Sequence, residues 1–129
     1  MTIRVVIADD HVLLRDGLKA LLQATGDIEV VGEVGNGHEA LRRVPELKPD
    51  VVLMDIAMPD LNGLEATRQI KAAEPGTRVV MVTVHDEPEY RQVATNYGAD
   101  AYVVKKCFRD DLTATVRVVG RRRPGETGS

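Results

Sequence analysis

Five short apolar runs alternate along this chain with stretches in which apolar positions recur every three or four residues. Residues 3–8 form a β-branched run that reads as a first strand. Residues 11–24 follow with Leu14, Leu18, Leu21 and Leu22 at helical spacing, an amphipathic helix stopped by Gly26 and Asp27. A second strand spans 28–34. Gly35-Asn36-Gly37 then makes a turn, and Asn36 with Glu39 three residues on resembles a capping box. The helix it opens meets Pro45, which lacks a backbone donor and is expected to end, kink or shorten it. Residues 51–54 are apolar without interruption and run straight into Asp55, the pattern of a strand buried on both faces. Pro59, Asn62 and Gly63 end that run. Asn62 or Gly63 caps a third helix whose Leu64, Ile70 and Ala73 are expected to face inward, and Pro75-Gly76 closes it. Residues 77–84 read as a fourth strand. Asp86, with Pro88 in the first turn, opens a fourth helix that Gly98 ends. A short strand over 100–104 leads to Lys105, and a fifth helix runs from Cys107 to about Gly120.

Strands alternating with helices through short connections predict an α/β fold, a parallel sheet covered on both faces. Right-handed crossovers with five strands suggest the doubly wound flavodoxin-like (βα)5 arrangement, in the order 2-1-3-4-5. Residues 1–120 are expected to form one domain. The Arg-, Gly- and Pro-containing stretch 121–129 reads as a linker or disordered tail.

Composition narrows the function classes. The chain has 129 residues, 43% hydrophobic and 29% charged, but only three tyrosines and one phenylalanine, so the core must be aliphatic. A net charge of -3 and a pI near 5.6 argue against a nucleic-acid-binding surface on this domain. The single Cys107 allows neither a disulfide framework nor a cysteine metal site. No apolar run approaches the roughly 18 residues of a membrane span, and the first residues begin no signal peptide, so the expected location is cytoplasmic.

The chemistry collects at the carboxyl ends of the predicted strands, where open α/β sheets bind ligands. Strand one ends in Asp9 and Asp10, strand three in Asp55, strand four in Thr83 and strand five in Lys105. With strands one, three and four adjacent, these groups converge. Three ionised carboxylates repel one another unless a cation sits among them, and all-oxygen ligands suit Mg²⁺, or Mn²⁺ in its place, better than Zn²⁺. A metal, a mobile ammonium, a hydroxyl and a carboxylate free to attack form a set of parts for phosphoryl transfer.

With these residues in hand, the chain resembles the receiver domain of two-component response regulators. The resemblance runs from Ile3 to about Gly120 and includes Asp9-Asp10, Asp55 followed by Met58-Pro59 and Gly63, Thr83 after its strand, and the segment from Gly98 to Lys105. The stretches Val6 to His11 and Val82 to Asp86 are most similar to the NarL/FixJ (LuxR-type) subfamily of transcription regulators. The resemblance implies that Asp55 is the phosphoacceptor and that Asp10 binds the metal directly, Asp9 directly or through water, with the main-chain carbonyl of Ala57 as a further ligand. It also implies that Lys105 pairs with the phosphoryl group, Thr83 donates to it, and Tyr102 is an aromatic switch. Ala57 and His85, two residues beyond Asp55 and Thr83, would flank the path of the hydrolytic water and tune lifetime. The implied partners are a sensor histidine kinase and, on phosphorylation, a second copy of the chain. DNA would be reached only through a helix-turn-helix domain after residue 129, the other possibility being a stand-alone regulator. Three positions depart from the common pattern: Val84 replaces a small residue, Lys106 replaces a proline and so favours a trans bond after Lys105, and Pro45 interrupts a helix.

Rival readings fit less of the chain. Gly35-Asn36-Gly37-His38-Glu39-Ala40 matches a dinucleotide fingerprint, but on an expected edge strand away from the switch point. A haloacid dehalogenase-type phosphatase would carry an acid where Ala57 stands. In a flavodoxin, Asp9 and Asp10 would repel the flavin phosphate. A pseudo-receiver would be expected to lack some of the five site residues, and none is missing. His11, His38 and His85 show no metal-ligand spacing, and none of them is read as a ligand.

Overall fold

The computed structural model describes residues 2–105 and 108–121, with backbone alone for 108–110. The elements are β1 (Ile3–Ala8), α1 (Val12–Gln23), β2 (Ile28–Val34), α2 (Gly37–Leu47), β3 (Val51–Met54), α3 (Gly63–Ala73), β4 (Arg78–Thr83), α4 (Pro88–Asn96), β5 (Ala101–Val104) and α5 (Phe108–Gly120). The strands form one parallel sheet in the order β2-β1-β3-β4-β5, as the alternation of patterns predicts. Cys107, the Lys105–Lys106 bond and most of the tail lie outside the described residues.

Successive strand residues point to opposite faces, so each central strand feeds two cores. Val5, Ile7, Val51, Leu53, Val80 and Val82 pack with Leu18 and Leu22 of α1 and Leu112, Val116 and Val119 of α5. Val6, Val52, Met54, Val79 and Met81 pack with Ala40 and Val44 of α2, Ala66 and Ile70 of α3 and Ala94 of α4. Burial on both sides is why β3 and β4 are apolar nearly throughout.

Local signals resolve as follows. The side chains of Asn36 and Asn62 accept from the amides of Glu39 at 2.8 Å and Glu65 at 2.9 Å, capping α2 and α3. The cap of α4 is Glu87, one residue later than expected, with Pro88 in the first turn. Two expectations need correction. Helix α2 continues through Pro45 to Leu47 and is as long as α3. Pro45 stands in the last turn, where it forfeits a single intrahelical bond, and the Lys48 amide still reaches the Val44 carbonyl at 2.8 Å. Ala73 is exposed; the buried stripe of α3 is Gly63, Ala66, Thr67 and Ile70, and an advance of eleven residues from Gly63 favours 74 over 73.

Two glycines are dictated by close approach. A Cβ on Gly63 would stand 1.9 Å from the Asp55 carbonyl oxygen, so only glycine lets α3 start beneath the end of β3. A Cβ on Gly37 would stand 2.2 Å from the Leu61 carbonyl oxygen. Gly37 of the apparent dinucleotide fingerprint thus serves close packing, and the strand before it, β2, is an edge strand.

Candidate functional site

Alternation decides which end-of-strand residues meet. Asp9 continues the Ile3, Val5, Ile7 series of β1, Asp55 the Val51, Leu53 series of β3, and Lys105 the Ala101, Val103 series of β5, all on the α1/α5 face. The Lys105 ammonium donates to Asp9 Oδ2 at 2.9 Å and to Asp55 Oδ2 at 3.1 Å, bridging two carboxylates that are 2% and 4% exposed. Asp10 lies at the rim, and one carboxylate oxygen each from Asp9, Asp10 and Asp55 clusters within 4.8 Å. The Ala57 amide points at Asp55 Oδ1 at 3.3 Å.

The electrostatics follow from burial. Loss of water pushes the Asp55 carboxyl above the ordinary range, Lys105 pulls it down, and the Asp9 charge adds to the rise. Burial works against the Lys105 ammonium too, but its bonds to Asp9 and Asp55 hold it above the ordinary lysine value. Among the described residues three carboxylates cluster here and one ammonium reaches two of them, an imbalance that suits a divalent cation held by oxygen ligands.

Thr83 and Tyr102 lie on the opposite face. Thr83 follows Met81 in its series, and Met81 is in register with Tyr102. Thr83 is fully buried and its Oγ1 accepts from the His85 amide at 3.3 Å. The Tyr102 hydroxyl donates to the His85 carbonyl at 2.7 Å, and the Arg91 guanidinium lies 4.6 Å from its ring centre. His85 therefore links the two by its backbone, while its ring stacks on Tyr90 at 4.4 Å. Val84 is exposed at the rim.

Two residues escaped the sequence reading. The Arg15 guanidinium donates to the Asp9 carbonyl at 2.7 Å and so anchors the acidic turn. His11 Nδ1 lies 3.2 Å from both Asp9 Oδ1 and Asp10 Oδ1, which spacing along the chain did not signal.

The response regulator receiver domain family matches residues 5–117. This chain belongs to that family. Receiver domains are the phosphorylation-switched modules of two-component signalling. Among relatives of this receiver is the response regulator protein VraR of Staphylococcus aureus, 43% identical over 123 residues, 94% of this chain and 58% of that protein. The chain thus spans little more than half of that relative's length. The signal receiver domain of the putative response regulator NarL from Mycobacterium tuberculosis is 34% identical with a TM-score of 0.89, covering 95% of this chain and 98% of its own. A DNA-binding response regulator of the LuxR family from S. aureus is 32% identical with a TM-score of 0.86, covering 92% and 99%. These likenesses support the NarL/FixJ subfamily.

Proposed function

We propose that Asp55 is the phosphoacceptor of this receiver. The supporting observation is that one half-buried ammonium, Lys105, reaches both Asp55 and Asp9 at the carboxyl edge of the sheet. A phosphohistidine of a sensor histidine kinase is the proposed donor. An Asp55 oxygen attacks phosphorus in line, the O–P bond forms as the N–P bond breaks, and the electron pair leaves with the imidazole. Lys105 exchanges a carboxylate oxygen for a phosphoryl oxygen, and the Thr83 hydroxyl turns from the His85 amide to donate to another. Asp9, Asp10, Asp55 and the Ala57 carbonyl are the proposed holders of Mg²⁺ or Mn²⁺, which when bound offsets charge on the phosphoryl oxygens.

Intact mass after incubation with acetyl phosphate and Mg²⁺ tests this. Wild type gains one phosphoryl group and Asp55→Asn gains none; an adduct on Asp55→Asn overturns the assignment.

Movement of Thr83 disturbs the loop that carries the His85 carbonyl, and with it the hydrogen bond of Tyr102. The switch is therefore relayed to the face of α4, β5 and α5, where Asp86, Arg91, Tyr102, Asp111 and Thr115 line an open groove. That face is proposed to pair phosphorylated copies. His85 and Ala57 flank the hydrolytic path. Wild type and His85→Ala should lose the adduct at rates differing several-fold, followed by mass spectrometry; equal decay removes His85 from this role.

We infer that residues 1–120 are the receiver and 121–129 a linker, in a cytoplasmic regulator whose output is a C-terminal helix-turn-helix domain. Among the described residues no helix is long and apolar enough to cross a membrane. The relatives' greater length favours this reading over a stand-alone regulator.

A further inference from the structure

Position 11 is the N-cap of α1, a place where Ser, Thr, Asp and Asn are preferred because their side chains accept a helix amide. His11 makes no such bond. Its side chain is 68% exposed, yet Nδ1 sits between two carboxylate oxygens, 3.2 Å from Asp9 Oδ1 and 3.2 Å from Asp10 Oδ1. These atoms, with an oxygen of Asp55, all lie within 4.8 Å of one another. Two ligands at adjacent corners of an octahedron with bonds of about 2.1 Å stand about 3 Å apart. The imidazole nitrogen hydrogen-bonds Asp9 Oδ1, and its 3.2 Å from each carboxylate is also the spacing of neighbouring ligands about one cation.

We propose that His11 Nδ1 is a ligand of the acidic site and extends its range from Mg²⁺ to borderline divalent transition ions such as Co²⁺ and Ni²⁺. This rests on the reading of the carboxylates as a cation site and adds a selectivity that carboxylates alone do not provide. Mg²⁺ prefers oxygen and keeps several waters, so it gains little from an imidazole. Co²⁺ and Ni²⁺ bind imidazole readily and lie higher in the divalent affinity order. In a cell where such an ion is in excess, the site would be occupied by a cation that exchanges ligands differently from Mg²⁺.

The experiment is titration of the whole chain with Mg²⁺ and, separately, with Ni²⁺, by calorimetry, for wild type, His11→Asn and Asp10→Ala. Asn suits a helix cap, so the fold is kept. The expected result is that His11→Asn weakens Ni²⁺ at least tenfold while Mg²⁺ changes less than threefold, and that Asp10→Ala weakens both ions. Pulsed electron paramagnetic resonance of the Mn²⁺-loaded chain should also show a nitrogen coupling that disappears in His11→Asn. An unchanged ratio of the two affinities with no such coupling overturns the proposal. Ni²⁺ binding equally well to Asp10→Ala overturns it too, since the ion then sits on another histidine. If Mg²⁺ still supports an adduct on Asp55 in either case, only the role of His11 falls; if neither ion binds wild type, the cation site falls with it.

Discussion

Two aspartates at opposite edges of the sheet have opposite fates. Asp27 immediately precedes β2, at the amino edge. Its carboxylate accepts from Arg117 Nε at 2.9 Å, from a second Arg117 nitrogen at 3.1 Å, and from Arg121 at 2.8 Å. Chiefly through the Arg117 hydrogen bonds, its pKa lies well below the ordinary carboxylate range. Asp55 immediately follows β3, at the carboxyl edge, and burial pushes its pKa up. Both are acids at strand ends; two guanidiniums hold the one carboxylate of Asp27, whereas Asp55 shares the Lys105 ammonium with Asp9. The Asp27 pairing ties α5 to the start of β2, whereas the carboxyl edge holds charge that the proposed cation would offset.

The comparison breaks most visibly at Lys105. In metal-free buffer Lys105→Ala leaves Asp9 and Asp55 buried together without a counter-charge, and urea unfolding should show a loss of about 2–3 kcal/mol. Saturating Mg²⁺ should restore more than half of it; no loss in metal-free buffer would mean that the carboxylates are not in conflict. The second test adds the missing charge. Mg²⁺ at about 100 times its dissociation constant should stabilise wild type by about 2.7 kcal/mol, read as a rise in Tm, and Asp10→Ala should lose that response. A Tm indifferent to Mg²⁺ would remove the cation from the account.

The smallest effect belongs to Asp27. Because its folded pKa is depressed, its stabilisation is fully present above about pH 4 and is lost as the pH falls toward the folded value. Asp27→Asn should therefore lower Tm slightly at pH 7, less so in high salt. The difference from wild type should close as the solution is acidified. A difference that grows in acid would contradict the pairing.

Most of this architecture was legible in the chain. Apolar runs closed by Asp9, Asp55 and Thr83 located the strand ends, and the order of strands then brought the acids together. Asn36 and Asn62 announced their helices because capping is local. Other features depended on where side chains point in space. The meeting of His11 with Asp9 and Asp10, the reach of Arg15 to the Asp9 carbonyl, and the grip of Arg117 on Asp27 across 90 residues leave no periodicity behind. Pro45 misled for a different reason: its cost depends on how many turns follow it, and α2 ends two residues later.

The bridge from Lys105 has a consequence in time as well as in space. It joins residues 96 and 50 positions apart in the chain. During synthesis Asp9 and Asp55 emerge first, and Lys105, which bridges them, emerges after β4 and α4. Contacts that span so much chain close late, after local helices and neighbouring strands have formed. A partly made or partly folded chain therefore carries the acids without the clamp. On the proposed role of Lys105, the receiver becomes competent only when its last strand docks, so the whole domain vouches for its folding before it can carry a signal.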